Sequence, residues 1–352
     1  MKRALICNII PNKLVHLLHS PQAVNNFCFN LIDNKCFEEV YSIIPISYND
    51  ERIKSDDNVK YFTQKKHSNK YVAVLFLLLS NLSCSLQARK ADTIWFYNIV
   101  KSNIISYLIL RYIFKKKVYV ILLDYTPCNN KFSLQNYIPF LIKKSFGLIS
   151  LSSRTEITHP NMDYIAGIIP IDKIMKKTSN PNDKLRFLFS GILGRHTGFD
   201  LAIDVFEKLP DCELYVTGFG ELDSVNFNKY INIKYLGYLS YEEYLKLYNE
   251  VDICLSFRDP KFPENINNFP SKILEYFSFN KIVISTISYP ELKDFKYFSC
   301  DYKIENVTKI IEHVCRLQKN KLISYFDNSE ALKNNFSEIK WRNTLNRIER
   351  RI

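Results

Sequence analysis

Short apolar runs rich in β-branched residues alternate with helix-length segments along most of the chain, and this alternation predicts the elements. In the first half, strands are expected at Arg3–Ile9, Glu39–Ile46, Val59–Thr63, Asp92–Tyr97, Val118–Leu123 and Gly147–Leu151. Helices are expected from a Ser20-Pro21 start to about Ile32, and over Lys70–Leu82, Ser102–Ile113 and Leu134–Lys144. Lys70–Leu82 is almost continuously apolar, so it reads as a buried helix. Strands apolar on both faces and separated by helices indicate a parallel sheet covered on both sides. Pro170–Asp183 breaks the pattern with Pro170, Pro181 and the turn cluster Ser179-Asn-Pro-Asn182, and reads as an interdomain linker.

A second alternating series follows. Leu185–Ser190, Glu213–Thr217, Ile233–Leu236, Asp252–Ser256 and Lys281–Ser285 read as strands. Helices are expected at Phe199–Lys208, from the capping box Ser240-Tyr-Glu-Glu243 to Asn249, and at Glu305–Leu317. A charged terminal helix is expected over Ser337–Ile352. Gly191–Gly198 reads as a glycine-punctuated loop. The fold class is α/β, with an N-terminal domain over 1–170, a second over 171–336 and the terminal helix at 337–352.

Composition narrows the classes. The length of 352 residues and a hydrophobic content of 47% suit two well-filled domains. Nine scattered cysteines without a C-x-x-C pair indicate neither a zinc site nor a disulfide framework, and fit a reducing cytoplasm. The net charge of +12 is compatible with nucleic acid, an anionic membrane surface or anionic small substrates. No basic block interleaved with aromatics marks a nucleic-acid element, and no nucleic-acid partner is expected. The N-terminus lacks the apolar run of a signal peptide. The longest apolar stretches, Tyr71–Leu82 and Ile104–Ile113, read as too short to span a bilayer, which leaves peripheral attachment open.

Candidate chemistry centres on Phe269–Thr286. Pro270 suits the first position of a helix, so Ser271 and Lys272 fall in its first turn, where free N–H groups and the dipole favour an anion. Glu275 lies one turn on and can reach the same ligand. Asn280 is expected to end the helix in the left-handed conformation. Such a stretch is also compatible with an ordinary surface helix.

Four ordered pieces of the second half resemble the glycosyltransferase family 4 pattern of retaining nucleotide-sugar transferases with the GT-B fold. They are Phe189-Ser-Gly-Ile-Leu193 with Gly198, Leu214-Tyr-Val-Thr-Gly218 with Gly220 and Glu221, Tyr235-Leu-Gly-Tyr-Leu-Ser240 through Tyr248 and Asp252, and Phe269-Pro-Ser-Lys272 with Glu275. The resemblance covers roughly residues 185–290. It implies two Rossmann-like doubly wound domains facing across a cleft, the nucleotide in the second and the acceptor in the first. Departures exist. Asn267 stands where the family's first glutamate falls, with Glu264 the nearest upstream acid. Ile192 and Thr197 occupy the places of the loop's basic pair, and Leu123 precedes Asp124 where many members have His. The Ser-Gly loop and lone Glu275 look closest to bacterial envelope transferases.

The resemblance assigns candidate roles. Asp124 and Glu275 are the candidate catalytic carboxylates: Asp124 to bind the acceptor or act as base (or merely to cap a loop), and Glu275 to accept hydrogen bonds from the ribose. Gly191 and Gly198 would let backbone N–H groups approach the phosphates, though both also suit a tight strand-to-helix turn, and Gly218 and Gly220 would shape the wall near the nucleotide. Arg195 reads either as a diphosphate partner or as a solvated loop charge. Ser271 and Lys272 are the phosphate candidates. Tyr238 would pack on the base or in the core, and Arg258 would face the cleft or, the favoured reading, form a surface salt bridge. With no Asp-x-Asp triplet, no metal and no cofactor are expected. The implied protein is a cytoplasmic transferase that moves sugar from a nucleotide sugar to a glycan or lipid-linked oligosaccharide acceptor in surface polysaccharide synthesis. Peripheral contact with the inner membrane stays open: the positive charge and the Lys-flanked apolar helices near Lys65–Leu82 and Ser102–Lys117 suit an anionic leaflet, while the favoured reading is that those helices are simply buried. A nucleotide-sugar epimerase of the same fold and a non-catalytic nucleotide-sugar-binding subunit are the alternatives.

Overall fold

The structure is a computed structural model that describes residues 1–351 apart from 16, 19–21, 46–49, 64–68, 124, 126–132, 176–180 and 221–224. The expected Ser20-Pro21 cap, Asp124 and Glu221 lie outside the described residues. The chain divides into two compact units, Met1–Pro170 with Glu338–Ile352, and Ile171–Ser337.

In the first unit, strands β1 (Arg3–Cys7), β2 (Glu39–Ile43), β3 (Lys60–Phe62), β4 (Thr93–Tyr97), β5 (Lys117–Leu122), β6 (Gly147–Ser150) and β7 (Met162–Tyr164) form one sheet. Their order is β3-β2-β1-β4-β5-β6-β7, and every described pairing is parallel. The apolar strands are buried on both faces because helices cover both, as parallel connections require. Helices α1 (Gln22–Asp33), α2 (Lys70–Ala88), α3 (Ile104–Leu108, running into a π turn at Ile109–Ile113) and α4 (Ile138–Lys143) alternate with the strands. The terminal helix, Glu338–Arg350, also packs in this unit: Trp341 meets Phe27 of α1 edge-on at 5.4 Å.

Two expectations about α2 are corrected. The helix extends to Ala88, so its 19 residues are long and apolar enough by composition to cross a membrane. It is also far from buried. Ala73, Ser80, Asn81, Cys84, Ser85 and Ala88 face inward, while Tyr71, Leu75, Leu78, Leu79, Leu82 and Leu86 are exposed.

The second unit repeats the plan with β8 (Arg186–Leu193), β9 (Glu213–Gly220), β10 (Ile233–Tyr235), β11 (Ile253–Ser256), β12 (Ile282–Ser285) and β13 (Phe298–Ser299), ordered β10-β9-β8-β11-β12-β13 and parallel. Helices α5 (Phe199–Glu207), α6 (Tyr241–Glu250), α7 (Pro263–Asn267), α8 (Lys272–Ser278), α9 (Ile304–Arg316), α10 (Lys319–Phe326) and α11 (Ser329–Phe336) complete it. The capping box at Ser240 and Glu243 is formed, with the serine hydroxyl accepting from the Glu243 N–H. Asn280 adopts φ 52° and ends α8, its side chain donating to the Met175 carbonyl at 3.3 Å.

Part of the expected Gly191–Gly198 loop is strand. β8 runs on to Leu193, paired with β9, and Gly191 lies opposite Gly218. Gly218 has φ 137°, and a Cβ there would fall 1.8 Å from the Gly191 carbonyl oxygen. Only glycine allows the two strands this approach.

Candidate functional site

The carboxyl ends of parallel strands are where open α/β sheets bind ligands, because the connecting loops leave a crevice there and helix N-termini face it. In the second unit, Ser190 and Gly191 of β8 are joined at that end by residues of α6 and α8. The Ser190 hydroxyl lies 2.7 Å from the Tyr244 hydroxyl and 2.9 Å from that of Tyr276. Tyr248 donates to Tyr244 at 2.8 Å, closing a chain of four hydroxyls. Burial pushes all three phenols well above their ordinary range, so each keeps its proton.

Lys272 extends over this cluster. Its ammonium lies 5.0 Å from the centre of the Tyr244 ring, and a Cβ built on Gly191 would sit 3.7 Å from its Nζ. The lysine thus overlooks the glycine backbone at the strand end. Desolvation lowers its pKa, with Glu275 acting in the opposite sense. Glu275, one turn along α8, is raised above the carboxylate range by desolvation, opposed by the Lys272 charge. Its charge in turn bears on Tyr241, Tyr244, Tyr248 and Tyr276. Glu275 is therefore no solvent-side helix residue. A carboxylate and an ammonium share a desolvated nook, and each is held away from its preferred charge state.

The start of α8 differs from the expectation. The helix runs from Lys272 with Ser271 at the cap position, and the Pro270 carbonyl accepts from the Ile273 N–H at 3.0 Å. Only seven residues long, it carries little dipole, so anion attraction falls to the lysine. Ser271 is exposed and its side chain makes no capping bond.

Arg258 supplies a second positive charge that the sequence reading assigned to a surface salt bridge. Its guanidinium instead donates to the Asn265 side chain at 3.1 Å, and its charge lowers both Lys272 and Tyr276. Asn265 is buried and donates to the His196 and Asp259 carbonyls, at 2.6 and 2.9 Å. It lies on α7 beside Glu264 and Asn267, the two residues weighed for the missing glutamate. The signal for Asn265 was present only as an Asn-rich run after Arg258, which has no pattern of its own.

The remaining candidates scatter. Arg195 is exposed, and its charge acts on Tyr302 alongside Asp200, Asp204 and Asp259. Gly198, at φ 76°, is buried against Phe257, whose Cβ a glycine Cβ would meet at 2.6 Å; its conformation serves the turn into α5. Gly220 is exposed at the end of β9. Tyr238 is exposed, its ring 5.8 Å from that of Phe219. Among the described residues no cluster of His, Cys, Asp or Glu could hold a metal ion.

Residues 170–311, within the second unit but for the first residue, match the profile of the family described as Glycosyl transferases group 1. Comparison with curated proteins returns no match. Solved structures align over the full chain. Alr3699/HepE of Anabaena, crystallised with UDP and glucose, is 15% identical with a TM-score of 0.64 over 100% of both chains. A glycosyltransferase from Rickettsia africae ESF-5 is 16% identical with a TM-score of 0.69 over 99% of this chain and 98% of that one. The UDP-GlcNAc 2-epimerase of Methanocaldococcus jannaschii is 12% identical with a TM-score of 0.58 over 100% of both. The architecture is that of the GT-B fold, as the sequence resemblance implied.

Proposed function

We propose that this chain is a glycosyltransferase whose second unit binds a nucleoside-diphosphate sugar and whose first unit takes a glycan acceptor, carried on a lipid. The observation that carries the reading is Lys272, whose ammonium lies 5.0 Å from the centre of the Tyr244 ring and overlooks Gly191 near the end of β8, with Glu275 one turn along α8. Breaking the sugar–phosphate bond leaves negative charge on the diphosphate. A desolvated cation is worth more to that charge than a solvated one, and Lys272 supplies it. An ionised Glu275 accepts hydrogen bonds from the ribose hydroxyls. The family profile over 170–311 and the UDP-bound HepE support a nucleotide sugar as donor. Retention, independence from metal, and a place in surface polysaccharide synthesis complete the proposal. They rest on the sequence resemblance, as does Asp124 as acceptor ligand or base.

The likeness to a UDP-GlcNAc 2-epimerase keeps one competing reading in view. A thermal-shift screen with UDP, GDP and ADP, followed by chromatography of the matching sugar nucleotides, separates the two. A transferase melts higher with one nucleotide and consumes its sugar donor only with an acceptor or slowly with water. Conversion of the donor to its epimer without acceptor would establish the competitor. No rise in melting midpoint with any nucleotide at millimolar concentration would overturn both.

A further inference from the structure

Helices α2, α3 and α4 form one layer on the first unit's sheet. α2 packs on α3 and β2. α3 is tied to α4 by the Tyr107 hydroxyl, which donates to the Leu141 carbonyl at 2.6 Å, and by Arg111 Nε, which donates to the Lys144 carbonyl at 2.9 Å. The inner side of the layer completes the core with Cys84, Ala88, Tyr107, Leu110 and Ile142. The outer side is apolar. On α2 the exposed residues recur every three or four positions from Tyr71 to Leu86, a single stripe about 22 Å long at 1.5 Å per residue. Leu108 and Tyr112 on the neighbouring segment and Phe140 on α4 are exposed as well. Soluble proteins seldom leave so continuous an apolar face open unless something covers it.

Charge decides what covers it. Between Lys70 and Thr155 the sequence holds twelve Lys and Arg and only two Asp, so this quarter of the chain carries +10 of the net +12. Lys70, Lys101, Lys115, Lys143 and Lys144 are exposed on the helices and the turns between them. A second copy of the chain would bring two such fields together and be repelled. An anionic bilayer answers both the stripe and the charge.

We propose that this helix layer docks in the plane of an anionic lipid bilayer, the α2 stripe entering the headgroup–acyl boundary and the lysines engaging lipid phosphates. α2 does not span, despite its length. Its inner face carries Asn81, whose side chain donates to the Leu77 and Ser102 carbonyls at 2.8 Å and accepts from the Ser106 N–H at 2.9 Å. Threading α2 through hydrocarbon would strip those bonds. The inference deepens the lipid-linked acceptor of the proposed function by naming the surface that would bring the first unit to it.

The test is sedimentation of the full chain with vesicles of phosphatidylcholine alone and of phosphatidylcholine with phosphatidylglycerol. Binding is expected to the second only, and to fall as salt rises. Leu75→Ser with Leu79→Ser, both exposed, should keep the helix content by circular dichroism and cut binding at least tenfold. Lys143→Ala with Lys144→Ala should cost about fivefold per lysine. Absence of binding to the anionic vesicles at low salt would overturn the proposal, as would undiminished binding by the leucine variant. So would a concentration-dependent dimer abolished by the leucine substitutions. The nucleotide-induced rise in melting midpoint is read on the same samples: its persistence where vesicle binding fails counts against docking alone, and its absence where vesicles bind counts against the donor site alone.

Discussion

At the scale of single residues, Glu275 presents a conflict between stability and binding. Desolvation raises its pKa, so the carboxylate is less stable in the folded chain than in the unfolded one. With the folded value above the unfolded one, folding takes up protons. Its ionisation therefore costs stability as pH rises from the unfolded value through the folded one, and the cost is absent below both. Glu275→Gln should then leave the melting midpoint at neutral pH unchanged or higher, while nucleotide affinity drops by tenfold or more through loss of a charged acceptor. In the unmodified protein, affinity should fall on acidification, starting above the usual carboxylate range, and the glutamine variant should lack that inflection. A lowered midpoint with intact affinity would make Glu275 a structural residue. Lys272→Met tests the other partner. It removes a desolvated ammonium, so loss of diphosphate affinity by roughly 10- to 100-fold is expected with little loss of stability. Calorimetric titration with the nucleotide that shifts the melting midpoint measures both.

Lys272 and Glu275 were legible in the sequence because they lie in one short stretch whose spacing places them a turn apart. Arg258, Asn265 and the hydroxyl chain were not. Ser190 and Tyr276 are 86 positions apart, and nothing in a linear pattern announces that β8 and α8 meet. Tyrosines at helix spacing read as core, and these are partly core. Their contribution comes from where the parallel sheet order sets them.

Among elements, alternating periodicity made most strands and helices visible, since both faces of each sheet are covered. The short pieces β7, α7 and β13 escaped, being too brief to establish a period, and the eight-residue helices α10 and α11 between the expected α9 and the terminal helix were not anticipated either. α2 misled for a different reason. Its inner face is built of small and weakly polar residues so that it can lie close to α3, with Asn81 bonding across, and the leucines are left outside. In a helix so rich in leucine the apolar stripe reads as the buried side, so the pattern alone points the wrong way. The β8–β9 pair shows the opposite case, in which glycines taken for a loop lengthen strands. Gly218→Ala should be severely destabilising, by about 3 kcal/mol or more, because the added methyl meets the Gly191 carbonyl at 1.8 Å and φ 137° suits no other residue. Denaturant unfolding of that variant checks it; a cost below about 1 kcal/mol would mean the two strands part easily, and would remove the backbone platform beside Lys272.

On the scale of the whole molecule, the chain leaves the first unit at Pro170 and returns to it at Glu338. A buried carboxylate anchors the return. Glu349 accepts from Arg3 Nε and Nη2 at 2.9 and 2.6 Å, from the Thr93 hydroxyl at 2.8 Å and from the Trp95 indole at 2.9 Å. Arg3 and Glu349 are 8% and 6% exposed, so neither can fall back on water. Trp341 adds an indole donation to the Gly167 carbonyl at 2.8 Å. These partners lie on β1, β4 and the segment after β7, so the terminal helix ties together parts of the first unit distant in sequence. Glu349→Ala leaves Arg3 buried without its carboxylate and should cost the first unit roughly 3–5 kcal/mol. Scanning calorimetry with and without bound nucleotide reads the two units apart. The first unit's transition should move down by many degrees, and the nucleotide should still raise the second unit's transition, since no donor candidate with described placement belongs to the first. Were the nucleotide-sensitive transition the one to fall, the terminal helix would be stabilising the donor unit, and its assignment to the first unit would fail as an account of stability.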